Sequence, residues 1–137
     1  MTASGTGGSS LPSVIIYTTN SARDATGSIH DDVKARAMGY AGGFVPGVTV
    51  LGYMLRVMRQ HFGVDWLAGG TFRGRLRRPT YAGVEVTVEG SIVEPPSAAN
   101  DRRVRVELRV LDPDGVVTAT GSATCRVPAG GIVVAGA

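Results

Sequence analysis

The sequence predicts an α+β fold in which a curved antiparallel sheet wraps around one long central helix. After Pro46, apolar residues recur at spacings of three and four, which is typical of a helix with one apolar side. From Gly70 onward the period of the apolar residues changes to two, which indicates strands. Because an apolar helix followed by hairpin-connected strands has to be buried, we expect the sheet to pack against it.

A strand and a short helix are predicted before the long helix. Residues 13–19 read SVIIYTT, a β-branched run that favours a strand. After an irregular polar stretch, Asp31 or Asp32 is expected to cap a short helix over residues 33–38, which Gly39 ends.

The long helix is predicted to begin at Pro46 and Gly47 and to end at Gly63. Other apolar residues of the segment lie off its main stripe, so the helix is expected to be buried on most sides. The main apolar stripe is expected to consist of Val48, Leu51, Leu55, Met58 and Phe62.

Four further strands are predicted from alternating apolar and polar residues. The segment Asp112-Pro113-Asp114-Gly115 is a strong turn signal between the last two of them. The strands are expected near residues 72–76, 84–92, 104–110 and 116–127.

Length and composition indicate one globular domain. The chain has 137 residues, of which 43% are hydrophobic and 18% are charged, so it can bury one core. We expect the domain to cover residues 12–128, between flexible tails at residues 1–11 and 129–137, because both ends are rich in small residues.

Several classes of protein are not expected from this sequence. No stretch has the pattern of a membrane span or of a secretory signal. The single cysteine, Cys125, cannot form an intrachain disulfide, which favours a reducing, cytoplasmic setting. No Cys/His cluster suggests a metal site, and no cofactor is expected.

The net charge of +3 comes mainly from arginine, and three interpretations are open. Nucleic-acid binding is one, but a solvated strand face is favoured because arginines alternate with other residues over residues 72–77. Arginines at a cleft mouth are also suited to bind the phosphates of a carrier such as coenzyme A. The residues concerned are Arg73, Arg75, Arg77 and Arg78, and later Arg102, Arg103, Arg105 and Arg109.

Three stretches resemble the MaoC-like dehydratase family, whose members have the hotdog fold. The stretches are SIHDDVKARAMGY, AGGFVPG and RGRLRRPTYAGVEVTVEGSIVE, and the resemblance covers roughly residues 13–127. It implies hydration or dehydration of an acyl thioester, typically an (R)-specific enoyl-CoA substrate, by a homodimer. The small-molecule substrate would be carried by coenzyme A or by an acyl carrier protein.

The resemblance also implies roles for particular residues. Water addition needs a base and an acid, and imidazole is suited to proton transfer at neutral pH. His30 corresponds to the family's histidine, and Asp24 is the candidate for its catalytic aspartate. Gly47 would direct a helix-start amide at the thioester oxygen, while Tyr40 and Val45 are assigned to substrate binding.

The chain departs from the family's D-x-N-P-x-H pattern. Ala25 stands at the aspartate position, and Asp24 lies one residue upstream of it. On an irregular loop, flexible Gly27 either absorbs this shift or leaves the carboxylate aimed away. Asp31 and Asp32 are expected mainly at the helix start, with a role as substitute carboxylate open for one of them.

Other functions are therefore open from sequence alone. The altered dyad also fits a repurposed hotdog lyase, isomerase or cyclase that acts on a small molecule without a thioester, in secondary metabolism. If His30 merely helps to cap the short helix, a non-catalytic ligand-binding or structural protein fits better. A thioesterase is disfavoured, because hotdog thioesterases usually carry an acid on the central helix and residues 48–60 contain none.

Overall fold

The structure, a computed structural model, describes residues 9–128, which form six strands in one sheet, three α-helices and a short 3₁₀ turn. The predicted strand, short helix, long helix and four later strands are all present in the predicted order. In chain order the elements are β1 (Ser9–Ser10), β2 (Val14–Tyr17), α1 (Asp32–Ala37), α2 (Gly47–Phe62), α3 (Val64–Gly69), β3 (Thr71–Leu76), β4 (Glu85–Glu94), β5 (Arg103–Leu111) and β6 (Val117–Arg126), with the 3₁₀ turn at Ala98–Asn100.

The last residues of the predicted N-terminal tail contact the domain. Ser9 and Ser10 pair with β4, and Leu11 is only 4% exposed, so residues 9–11 join the sheet and the core. Residues 9–11 lack the alternation of apolar and polar side chains that marks β4, β5 and β6, so no strand was predicted there. The remaining parts of the two predicted tails, residues 1–8 and 129–137, lie outside the described residues.

The sheet is antiparallel, in the order β1-β4-β5-β6-β3, and β2 pairs with β4 on the same side as β1. Strands β4, β5 and β6 alternate buried and more exposed residues, which confirms the predicted period of two. The buried side of these strands faces α2, so the helix and the sheet share one hydrophobic core. None of the helices within residues 9–128 is long and apolar enough to span a membrane.

The side of α2 that faces the sheet coincides with the predicted stripe only in part. Val48 is 77% exposed, whereas Val50 is 2% and Met54 is 0% exposed. Two sets of apolar residues satisfied the helical spacing, and the sheet covers the one that had been placed off the main stripe. Only part of the predicted stripe is buried. The buried residues of α2 are Val50, Met54, Val57, Met58 and Phe62.

Two glycines in register let α2 lie close to the sheet. Gly74 of β3 is paired with Gly121 of β6. A Cβ on Gly121 would stand 2.8 Å from the Phe72 ring and 3.0 Å from the Met54 sulfur, and a Cβ on Gly74 would stand 2.4 Å from the Leu51 side chain. The absence of both side chains thus makes room for the helix where α2 crosses these strands.

Candidate active site

A cleft of about 410 Å³ opens where α2 begins. One wall is the loop that carries His30, together with Tyr40 and Phe44. The first turn of α2 contributes Gly47, and residues 76–80, the end of β3 and the segment after it, form a second wall. Most of the surface is apolar, and the polar groups are few. Such a combination is typical of small-molecule sites.

The imidazole of His30 is held in one orientation by the backbone. Its Nδ1 lies 2.8 Å from the carbonyl oxygen of Phe44. Because a carbonyl oxygen can only accept, Nδ1 must carry the proton in this hydrogen bond. In the neutral ring Nε2 is then unprotonated, and Nε2 has no hydrogen-bond partner within residues 9–128 and is not buried. His30 therefore presents a free proton acceptor in the cleft.

The backbone of His30 is fixed as well as its ring. Its N–H donates to the Ser28 hydroxyl at 3.2 Å, and its carbonyl oxygen accepts from the Asn20 amide at 3.0 Å. Gly43 packs directly on that carbonyl, because a Cβ at position 43 would stand 2.1 Å from the oxygen. The stretch AGGFVPG thus contacts the backbone of His30 directly and holds it in place.

Gly47 is the first residue of α2 and lines the same cleft as His30. The helix has no side-chain cap, and its first satisfied amides within the described residues are those of Thr49 and Val50, which both donate to the Pro46 carbonyl. The Gly47 amide has no acceptor there, so the positive end of α2 is available to a ligand. A Cβ at Gly47 would stand 2.4 Å from the end of the Leu76 side chain, so a larger residue there would push that side chain aside.

The other two predicted substrate-binding residues also line the cleft. Tyr40 packs edge-on against Phe44 with ring centroids 4.7 Å apart, and Phe44 packs against Tyr81 in the same way. Val45 is buried, and its N–H donates to the carbonyl oxygen of Thr80 at 2.8 Å. This hydrogen bond connects the loop that carries His30 to the wall formed by residues 76–80.

Asp24, by contrast, does not come together with His30. It is exposed, does not line the cleft, and its carboxylate has no hydrogen bond or ion pair within residues 9–128. Gly27, the residue expected to absorb the one-residue shift, has a positive φ of 82° and donates its N–H to Asp31 at 3.1 Å, and this loop path leaves Asp24 outside the cleft. Asp24 therefore lies apart from His30 in this structure, and its assignment to the catalytic pair stays a prediction.

Asp31 and Asp32 serve the local backbone. Asp31 is the N-cap of α1, as predicted, and accepts from the Val33 amide at 3.1 Å as well as from Gly27. Asp32 accepts from the Gly43 amide at 2.8 Å. Neither residue lines the cleft, and no other aspartate or glutamate within residues 9–128 does so. The ionisable groups of the cleft wall are one imidazole, one phenol and two guanidinium groups.

The two guanidinium groups belong to Arg77 and Arg78, at the end of the wall that follows β3. Neither forms an ion pair within the described part of the chain, and the one side-chain bond is from Arg77 to the Thr120 hydroxyl at 3.3 Å. Arg73 and Arg75 are exposed and lie outside the cleft. Only part of the arginine cluster is thus placed to contact an anionic ligand.

Sequence reasoning missed Thr80. It lines the cleft, is 6% exposed, and its hydroxyl is buried with no partner within residues 9–128. The residue lies directly after Pro79 in the stretch that resembles the MaoC-like family, but nothing in the pattern of that stretch distinguishes it. Thr80 is brought to the cleft by the hydrogen bond between its carbonyl oxygen and the Val45 amide, which a sequence pattern does not reveal.

Comparison with known proteins identifies the architecture. No protein-family model and no curated protein sequence matches the chain. Solved structures do: the ChsH1-ChsH2 complex from Mycobacterium tuberculosis matches with a TM-score of 0.70 and 24% identity, over 88% of this chain and 97% of the other. A MaoC-like dehydratase from Rhodospirillum rubrum matches with a TM-score of 0.64 and 20% identity, over 89% and 94%.

The chain has the hotdog fold. An (R)-hydratase from A. caviae involved in PHA biosynthesis shares it, with a TM-score of 0.66 and 16% identity over 88% of this chain and 96% of that one. The predicted hotdog architecture, one central helix wrapped by an antiparallel sheet, is confirmed. Its cleft at the start of the central helix is the site to which a function has to be assigned.

Proposed function

We propose that this hotdog protein is a MaoC-like hydro-lyase, which adds water to an α,β-unsaturated acyl thioester or eliminates it from the hydrated product. The observation that carries the proposal is the shared cleft of His30 and Gly47, whose imidazole Nε2 and helix-start amide have no hydrogen-bond partner within residues 9–128. A base and an oxyanion-stabilising amide are the two groups that this reaction needs most. The names of two similar solved structures, a dehydratase and an (R)-hydratase, support the same chemistry.

In the proposed reaction a single imidazole does the work of both acid and base. Nε2 of His30 takes a proton from water while the water oxygen bonds to C3 of the substrate. The electron pair of the C2–C3 double bond moves toward the thioester carbonyl, and the amide of Gly47 stabilises the resulting enolate oxygen. Nε2 then returns the proton to C2, so water has been added and the enzyme is unchanged. Elimination runs through the same steps in reverse.

The carrier of the acyl group is proposed to be coenzyme A or the phosphopantetheine arm of a carrier protein. Arg77 and Arg78 line the cleft without carboxylate partners in the described chain, so they are available to phosphate. The apolar wall of Tyr40 and Phe44 would then contact the acyl part of the substrate.

The proposal is tested with purified protein and crotonyl-CoA, by following the loss of absorbance of the conjugated thioester. Wild-type protein should hydrate it, and His30→Gln should lower the rate by about 10²–10⁴-fold, as for loss of a general base. His61→Gln is the matched control, because His61 lies in the last turn of α2 and not in the cleft. Absence of turnover over a series of acyl chain lengths would contradict the proposal.

A second candidate function is a lyase, isomerase or cyclase that acts on a small molecule without a thioester. The observation that favours it is the lack of any carboxylate among the cleft-lining residues of the described chain. A neutral imidazole with two arginines suits an anionic substrate that contributes its own acidic group. Binding of small organic acids in this cleft, together with no response to coenzyme A thioesters, would distinguish this function from the first.

We also propose that the protein is a cytoplasmic homodimer, as expected from the family resemblance. Strand β3 pairs with β6 on one side only, and its other edge has no strand partner within residues 9–128. An open edge can pair with that of a second copy. Light scattering on purified protein measures the mass of the assembly directly, and a value near 14.2 kDa, the mass of one chain, would contradict the dimer.

A further inference from the structure

Thr80 has a buried hydroxyl group that nothing in the described chain satisfies. The other two buried threonines show what is usual: the Thr18 hydroxyl donates to the Tyr81 carbonyl at 2.7 Å, and the Thr118 hydroxyl donates to the Val110 carbonyl at 3.4 Å. Thr80 is as deeply placed, at 6% exposure, but its hydroxyl has no partner within residues 9–128. Since buried polar groups are almost always hydrogen-bonded, an external partner is expected.

The position of Thr80 indicates where that partner comes from. The residue lines the cleft that also contains His30 and Gly47, and its backbone is fixed by the Val45 amide at 2.8 Å. With the backbone fixed, only rotation about χ1 is left, and this rotation exchanges the positions of the hydroxyl and the methyl group. The Thr80 hydroxyl can therefore turn toward a ligand in the cleft without movement of the main chain.

We infer that the Thr80 hydroxyl binds the reacting oxygen of the substrate, which is the attacking water in hydration and the 3-hydroxyl group in elimination. The inference rests on the proposed function. Valine has the same shape as threonine, so the choice of threonine adds only a hydroxyl to this wall. No cleft-lining carboxylate in the described chain is available to orient the water, and Thr80 is a polar, uncharged residue of the cleft that His30 also lines. Thr80 thus acts as a positioning residue, and the proton transfer remains with His30.

The test compares two thioesters that differ in one hydroxyl group, (R)-3-hydroxybutyryl-CoA and butyryl-CoA. Dissociation constants are measured by calorimetry in the His30→Gln background, which prevents turnover. Thr80→Val should weaken binding of the hydroxyacyl thioester about tenfold, as for loss of one hydrogen bond, and leave binding of butyryl-CoA unchanged. Thr80→Ser, which keeps the hydroxyl, should retain the affinity for both.

The thermal midpoint of unfolding provides a second readout. Replacing an unsatisfied buried hydroxyl by a methyl group should leave the midpoint of Thr80→Val unchanged or raise it. Equal effects of Thr80→Val on both thioesters, or no effect on either, would overturn the role of Thr80 while leaving the proposed function intact. If wild-type protein neither binds nor turns over these thioesters, the proposed function itself fails, and the role of Thr80 in it fails with it.

Discussion

Gly43 packs against the carbonyl oxygen of His30 so closely that a Cβ at position 43 would stand 2.1 Å from it. The atom it would meet belongs to the backbone and cannot turn away like a side chain. Any residue other than glycine therefore has to displace the loop that carries the histidine. The same glycine donates its N–H to Asp32 at 2.8 Å, so the contact is fixed from both sides.

We predict that Gly43→Ala destabilises the protein by about 1–3 kcal/mol, as for overpacking, and lowers crotonyl-CoA hydration by displacing the imidazole. Gly42→Ala is the matched control. A Cβ there would stand 3.3 Å from Asp32 Oδ1, the atom that accepts from Gly43, so only a side-chain shift of a few tenths of an ångström is needed and the backbone of His30 is not touched. Chemical denaturation and initial rates measure the two effects. Equal behaviour of the two variants would contradict the role assigned to the Gly43 contact.

The arginines of the cleft should determine affinity for the carrier and leave the chemistry unaffected. Arg77→Gln and Arg78→Gln are each expected to raise KM for crotonyl-CoA severalfold with little change in kcat, because phosphate contacts form equally in the ground state and the transition state. The effect should shrink at high ionic strength.

Two controls separate this effect from general loss of charge. Arg73→Gln removes a guanidinium from β3, the strand that precedes Arg77 and Arg78, at a position outside the cleft, and should leave KM unchanged. The N-acetylcysteamine thioester, which has no phosphates, should be used equally by all variants. A KM change with the phosphate-free substrate would show that the arginines act on the acyl part or on the fold.

The orientation of α2 can be tested by stability alone. Met54 is fully buried against the sheet, so Met54→Ala should cost about 2–5 kcal/mol of unfolding free energy. Val48, at 77% exposure, belonged to the predicted stripe, and Val48→Ala should change stability by no more than about 0.5 kcal/mol. The free energies come from urea denaturation. Similar values for the two variants would mean that the helix presents a different side to the core.

Met54 and Val48 also show what the spacing of apolar residues can predict about a helix and what it cannot. The spacing of apolar residues predicted the bounds of α2 within one residue, since Pro46 and Gly63 are strong boundary signals. It could not choose between two apolar sides of the helix, because the choice depends on where the sheet lies. The Gly74–Gly121 pair, which brings the sheet to that side, is separated by 46 residues of sequence and gives no local pattern.

The sequence likewise predicted some residues of the candidate site and not others. His30, Tyr40, Val45 and Gly47 lie close in sequence around one loop and one helix start, and the structure brings them to one cleft. Asp24 depended on the path of an irregular loop, and that path is set by hydrogen bonds such as Gly27 to Asp31, which no propensity reveals. The wall formed by residues 76–80, which includes Thr80, comes from a part of the chain that is distant in sequence.

The thiol of Cys125 should be unreactive in the folded protein. Burial raises the pKa of this thiol to about 11, with a further increase from the negative charge of Asp65 and a partial decrease from Arg103. Because the thiolate is the reactive form, labelling by iodoacetamide at pH 7–8 should be much slower than in urea-unfolded protein.

The same shift fixes the sign of a pH effect on stability. The folded state holds the thiol proton up to a pKa of about 11, whereas the unfolded chain releases it near 9.0. Unfolding above pH 9 therefore releases a proton, so this group's contribution to stability is full below pH 9 and falls as the pH rises toward 11. Cys125→Ala removes the titrating group, and its urea midpoint should decline less over this range than that of the wild type. A parallel decline in both proteins, or rapid labelling of the native thiol at pH 7, would show that Cys125 is not held protonated by the core.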